Sequence, residues 1–326
     1  MSYSFNFNEI YENLNKEQKN CVEELDGNIL VLSGAGTGKT KIIISRFLKH
    51  LEQKVDPKKI LCVTFSNKAA NEINKRLVNY GIETDGLWIG TFHRICFRIL
   101  QKYSGLPSNV SIIDEDDQKN ILDKLFITKY LRDIQLYKDQ IQIEETNDFY
   151  KAYNLYQEFL FQNNLIDFGE IIAKTVRLLE ENHEIREAVN KKFEYIMVDE
   201  YQDTSKIQNN LIKLIKNKNL MCVGDDDQSI YSWRGACVDN ILNFKDEFDN
   251  VKTFKLEQNY RCSKNILSVA NHVVKQNVHR LKKELWTENE GDKVTICCTK
   301  YEPEFIAREI NNINYGENIS ILVRAS

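Results

Sequence analysis

Proline is nearly absent, at three residues in 326, and glycine numbers only 13, which leaves little room for linkers, collagen-like repeats or low-complexity coil. No apolar run approaches the ~18–20 residues that a membrane-spanning helix needs. The opening stretch MSYSFNFNEIYENLNKEQKN is polar and acidic and lacks the basic-then-apolar pattern of a signal peptide. Neither sign of charge is in excess. The 44 basic and 48 acidic side chains leave a net −4, which excludes nucleic-acid binding by bulk basicity. A nucleic-acid partner would have to meet a local patch or groove. No CxxC pair occurs among the eight cysteines (Cys21, Cys62, Cys96, Cys222, Cys237, Cys262, Cys297, Cys298). Scattered mostly through apolar runs, they read as reduced core thiols of a cytoplasmic protein, not as a disulfide framework or zinc site.

What remains is an ordinary globular composition, 42% hydrophobic and 28% charged, long enough for two domains and part of a third. Short apolar runs at 28–33 (NILVLS), 60–65 (ILCVTF), 87–90 (LWIG), 195–199 (YIMVD), 219–223 and 251–256 (VKTFKL) alternate with amphipathic stretches such as 39–53, 67–80 and 204–216. That rhythm predicts an α/β fold with a doubly wound parallel sheet. Residues 93–190 break it with apolar positions at helical spacing and almost no strand signal, which predicts a helical insertion. Past Tyr260 a helix (NILSVANHVVKQN) precedes two strand-like runs, KVTICC and ISILVR, and Ser326 directly follows the second.

Three strings carry chemistry. SGAGTGKT at 33–40 follows a strand and opens a helix. Its backbone N–H groups, from Gly34, Ala35, Gly36, Thr37 and Gly38, can close on phosphate oxygens at the positive end of that helix. Lys39 would reach the β- and γ-phosphates and Thr40 would hold Mg²⁺. Ser33 stands where the general GxxxxGK[ST] pattern has its first glycine. In FEYIMVDEYQDT at 193–204, the apolar run places Asp199 and Glu200 at the carboxyl end of a strand, where open parallel sheets bind ligands. Asp199 would hold Mg²⁺ through water and Glu200 would polarise the attacking water. In VGDDDQSIYSWRGA at 223–236, Gln228 is placed to sense a γ-phosphate, and Tyr231 and Trp233 offer flat faces to unpaired bases. Taken singly, each string has a bland reading: a glycine turn, a solvated strand end, a packing tryptophan.

Together and in this order they resemble the UvrD/Rep/PcrA group of superfamily 1 DNA helicases, over nearly the whole chain. LNKEQKNCV (14–22), TFSNKAANEINKRL (64–77), GTFHRI (90–95), NNLIDFGEII (163–172), LEQNYRCSKNIL (256–267), FIAREI (305–310) and ILVRAS (321–326) are similar to further segments of that family. The resemblance implies a RecA-like P-loop NTPase sheet divided as residues 1–92 and 191–258, a helical insertion over 93–190, and the incomplete start of a second RecA-like domain over 259–326. It implies that Gln18 grips adenine, Tyr260 stacks on it, Arg261 is an arginine finger, and Lys41 replaces an arginine that flanks the base. It also implies that Phe65, Asn67, Lys68 and His93 line a single-strand track together with Tyr231 and Trp233. The expected activity is ATP- and Mg²⁺-dependent 3′-to-5′ translocation on single-stranded DNA and opening of single/double-strand junctions.

The later motifs of the family, including a second arginine finger, have no counterpart before Ser326. The chain is therefore expected to be an amino-terminal part, weak alone without the carboxy-terminal half of the motor. The second reading is a non-unwinding remnant, or short regulatory protein, that binds ATP and single strands. A nuclease-linked recombination helicase fits the wording of the third string less well, and a phosphate-loop kinase does not fit the co-occurring motifs.

Overall fold

The computed structural model describes residues 5–312 and 319–323. Six strands form one fully parallel sheet: β1 (Asn28–Ser33), β2 (Ile60–Thr64), β3 (Trp88–Thr91), β6 (Tyr195–Val198), β7 (Asn219–Gly224) and β8 (Lys252–Leu256). Their order across the sheet is β3-β2-β6-β7-β1-β8. Two three-residue strands, β4 (Ser111–Ile113) and β5 (Leu165–Asp167), make a separate parallel pair. All six large strands follow the predicted runs to within a residue or two. The small pair is absent from the sequence reading, because three residues carry no periodicity.

Strand side chains alternate between two cores, as the period of two requires. Leu30, Leu32, Leu61, Val63, Leu220 and Cys222 enter one face, with helices Phe92–Tyr103, Phe168–Glu181, His183–Lys192 and Lys206–Ile215. Ile29, Val31, Ile60, Cys62, Met221 and Val223 enter the other, with helices Lys16–Glu23, Lys39–Glu52 and Asn67–Asn79. Helices on both faces explain why these strands are apolar throughout. Residues 93–190 divide between two cores. Helices Phe92–Tyr103, Phe168–Glu181 and His183–Lys192 share the sheet's core, whereas Ile113, Leu122, Ile134, Phe149, Tyr156 and Leu160 belong to a third core of their own.

The stretch after β8 departs from expectation. Helix Lys264–Val274 is present, but KVTICC and the described part of ISILVR (319–323) are not strands, and Ile296 and Leu322 are almost fully exposed. A strand exists by pairing, and among the described residues nothing pairs with these runs. FIAREI lies in helix Glu302–Asn311, while residues 324–326 of ILVRAS fall outside the described residues. Cys297 and Cys298 are consequently exposed, contrary to the core reading that Cys21, Cys62, Cys96 and Cys222 satisfy. No helix among the described residues is long and apolar enough to cross a membrane.

Candidate functional site

Strand order decides which loops meet. β1 lies between β7 and β8, and β7 lies between β6 and β1, all parallel, with Leu32 opposite both Gly224 and Lys255. The segments leaving the carboxyl ends of β1, β6, β7 and β8 therefore emerge side by side. They are the loop at 34–38, Asp199–Asp203, Asp225–Gln228 and Glu257–Cys262.

The first loop enters helix Lys39–Glu52 through Gly38, which is left-handed (φ 96°) and supplies no side-chain cap. The first-turn N–H groups thus keep their positive end for an anion. Thr37 Oγ1 donates to the Gly34 carbonyl at 2.9 Å and lies 2.7 Å from Ser33 Oγ. Ser33 therefore braces the loop from the position where a glycine is usual. Gln18, fully buried, donates to the Thr37 carbonyl at 3.0 Å and closes a capping box with Asn15. Lys41 Nζ donates to the Asn13 carbonyl, and burial lowers its pKa.

Beyond β6, the Asp199 N–H still donates to Val63 O, so the ladder carries this carboxylate to the sheet's rim. Asp199 is buried; its pKa is pushed up to about 7 by burial first and by neighbouring Glu200 next, with Lys39 opposing. Its Oδ1 accepts from the Glu200 N–H, while Oδ2 makes no hydrogen bond among the described residues. Glu200 takes a left-handed conformation (φ 49°, ψ 47°) and pairs with Lys39 at 2.7 Å. Gln202 then links two loops: its Nε2 donates to Glu200 Oε2 at 2.9 Å, and its Oε1 accepts from the Asp225 N–H at 2.9 Å. Asp225 in turn accepts from Gln228 Nε2. Lys39, Glu200, Gln202, Asp225 and Gln228 thus form one hydrogen-bonded chain across three strand ends, and Thr40 follows Lys39 in the same helical turn.

The segment after β8 lies on the phosphate loop. Asn259 Nδ2 donates to Ala35 O at 2.5 Å, and the Tyr260 N–H donates to Gly36 O at 2.9 Å. A Cβ on Gly36 would sit 2.7 Å from Arg261 Cβ, and one on Gly34 would sit 2.4 Å from Leu285. The Tyr260 hydroxyl donates to Gln258 and accepts from Asn15, which places it beside the helix that carries Gln18. Arg261 is exposed and makes no ion pair among the described residues.

Phe65 and Tyr231 stack on one another, with centroids 5.0 Å apart and planes 20° from parallel, and Tyr231 lies 6.4 Å from Trp233. Trp233 is 72% exposed. Asn67 and Lys68 are exposed in the first turn of the helix that Ser66 caps. His93 instead meets the Phe168 ring edge-on at 5.4 Å, and burial lowers its pKa, so it offers no charge to a phosphate at neutral pH. The sequence reading did not single out Gln202, Asp225 or Asn259. All three lie inside quoted motifs, where adjacency to Glu200, Gln228 and Tyr260 was the available signal.

The donor set fits a magnesium–triphosphate: an uncapped helix N-terminus, one lysine, a first-turn threonine and two adjacent carboxylates. The UvrD/REP helicase N-terminal domain family matches residues 14–249, and the UvrD-like helicase C-terminal domain family matches residues 254–326. The chain is 39% identical over 335 residues to the ATP-dependent DNA helicase PcrA of Staphylococcus epidermidis, covering 93% of this chain and 46% of that protein. It is 38% identical over 355 residues to PcrA of Staphylococcus aureus, covering 98% and 49%. The chain spans about half the length of these curated relatives. On the strength of a family match that takes in most of its residues, the chain belongs to the UvrD/Rep helicase family.

Proposed function

We propose that this chain binds ATP with Mg²⁺ at the rim of the six-stranded sheet and serves the hydrolytic step of a 3′-to-5′ DNA translocase. The observation that carries the reading is the Lys39–Glu200 pair and its extension through Gln202 and Asp225 to Gln228. The loop N–H groups and Lys39 bind phosphate oxygens. In doing so Lys39 exchanges Glu200 for an anion of higher charge, and Glu200 is released to accept a hydrogen bond from the attacking water. Thr40 and Asp199 would hold the magnesium ion, which neutralises charge developing on the phosphates. Arg261, unpaired and next to Gly36, supplies further positive charge. Gln18, Lys41 and Tyr260 surround the position for the base, and Phe65, Tyr231 and Trp233 present the stacking surfaces for single-stranded DNA or a junction.

The test is ATP turnover by this chain with and without single-stranded DNA, beside Lys39→Ala and Glu200→Gln. The reading expects Lys39→Ala to abolish turnover and binding, and Glu200→Gln to abolish turnover while retaining nucleotide. Turnover in the wild type no higher than in Lys39→Ala, with or without DNA, would overturn the hydrolytic reading.

A further inference from the structure

Asp225, Asp226 and Asp227 bring their carboxylates within 4.8 Å of one another, close enough to share a divalent ion. A cation from the chain already stands there. Lys283 Nζ lies 2.6 Å from Asp225, 2.7 Å from Asp226 and 2.9 Å from Asp227, and its side chain is 2% exposed. Arg280 adds a two-pronged contact to Asp227, at 3.0 and 2.7 Å, and donates to the Lys283 carbonyl. The Leu281 N–H donates to Asp226 at 2.7 Å. A segment from beyond β8 is thereby clamped onto the segment that leaves β7.

Three like charges at this spacing would repel one another strongly without a counter-charge. Burial opposes the ammonium, but Asp225 and the hydrogen bonds of all three aspartates outweigh it and raise the Lys283 pKa. Each aspartate spends its carboxylate differently. Among the described residues, Asp226 and Asp227 make their side-chain contacts with the 277–283 segment, whereas Asp225 divides its two oxygens. Oδ1 accepts from the Asp227 N–H and meets Lys283, while Oδ2 accepts from Gln228 Nε2. Resting on the nucleotide reading above, we infer that Lys283 is a positioning residue for the γ-phosphate sensor: it holds the Asp225 carboxylate, and Asp225 holds the Gln228 carboxamide. Through it, displacement of residues 277–283 shifts the glutamine without any contact between those residues and nucleotide.

Titrations of the full chain with Mg²⁺–ADP and Mg²⁺–ATPγS, beside isotopic detection of the Gln228 side-chain amide in the nucleotide-free chain, test the inference. Lys283→Ala and Asp225→Asn are expected to cut the ATPγS-over-ADP preference about tenfold or more, the scale of a hydrogen bond to a charged group. ADP affinity should hold, and the Gln228 amide resonance should move towards its free position. Asp226→Asn, which leaves the Lys283–Asp225 contact in place, should preserve both. The preference lost in Lys283→Ala should also be absent from the increment between Gln228→Ala and the double variant. An unshifted Gln228 amide in Lys283→Ala, or equal loss in Asp226→Asn and Asp225→Asn, overturns it. Should Lys283→Ala fail to fold, the contrast between the two asparagine variants decides. If the wild type bound neither nucleotide, the nucleotide reading would fall, and the amide resonance would still decide whether Lys283 positions Gln228.

Discussion

His50 is fully buried in helix Lys39–Glu52, with neither ring nitrogen hydrogen-bonded among the described residues and its ring 3.9 Å from that of Tyr195. Burial, and then the nearby Arg46 guanidinium, lower its pKa to about 3. A histidine that stays neutral when folded but protonates near 6.5 when unfolded stabilises the fold above that value. It surrenders the stability as pH falls towards 3. At pH 5 the loss is about 2 kcal/mol, from the ordinary histidine pKa and the energy per pH unit. Urea unfolding at pH 7.5 and pH 5.0 should therefore show wild type losing about that much more than His50→Leu; equal losses would remove the histidine from the account. Legibility at this scale was uneven. Lys39, Thr40, Asp199 and Glu200 are fixed by adjacency within motifs, so the sequence named them. Lys283 and His50 act through groups brought close only by folding, and neither lies in a recognisable string.

At the scale of elements, the phosphate loop is held from both sides: Gln18 from the amino-terminal helix and Asn259 from the segment after β8. Asn259 is buried; its Oδ1 accepts from the N–H groups of Arg261 and Cys262, and its Nδ2 reaches Ala35 O. One side chain thus satisfies two turn donors and ties the turn to the loop. Asn259→Ala leaves those donors without their acceptor and is expected to cost about 1–3 kcal/mol. Hydrogen exchange should quicken at residues 260–262 while amides of β1 keep their protection. Unchanged exchange there would show that the turn holds without the asparagine. The same contacts give the loop glycines a second purpose, since Asn259 and Arg261 crowd Gly36 and Leu285 crowds Gly34. The sequence signalled only phosphate approach, because the crowding side chains lie more than 200 residues away. Apolar runs identified β1, β2, β6 and β7 because each is buried on both faces, whereas the edge strand β8 buries only Leu256 fully. The same signal misread KVTICC, where composition favours a strand but no described neighbour completes one.

For the molecule as a whole, the sheet's strand order assembles the site, and one buried network joins the third core to the sheet's core. Asp167, at the end of β5, caps helix Phe168–Glu181 through the Glu170 N–H. Its other oxygen accepts from Lys138 at 2.5 Å and from the Tyr156 hydroxyl at 2.8 Å. Lys138 and Tyr156 come from two of the helices around the third core, whereas the capped helix packs on the sheet. Removing Asp167 leaves Lys138, with 1% of its side chain exposed, Glu170 at 3.4 Å as its one carboxylate partner among the described residues. Asp167→Ala should cost about 3–5 kcal/mol from the broken buried pair, with roughly 1 more for the lost cap. Adding Lys138→Met should recover part of that cost, because no buried ammonium is then left short of a partner. The loss should fall first on the third core, so proteolysis of Asp167→Ala should cut within residues 111–165 at temperatures where the sheet stays intact. A single cooperative transition lowered equally in both cores, or strict additivity of the two substitutions, would mean that the network stabilises the molecule as one body and does not join two.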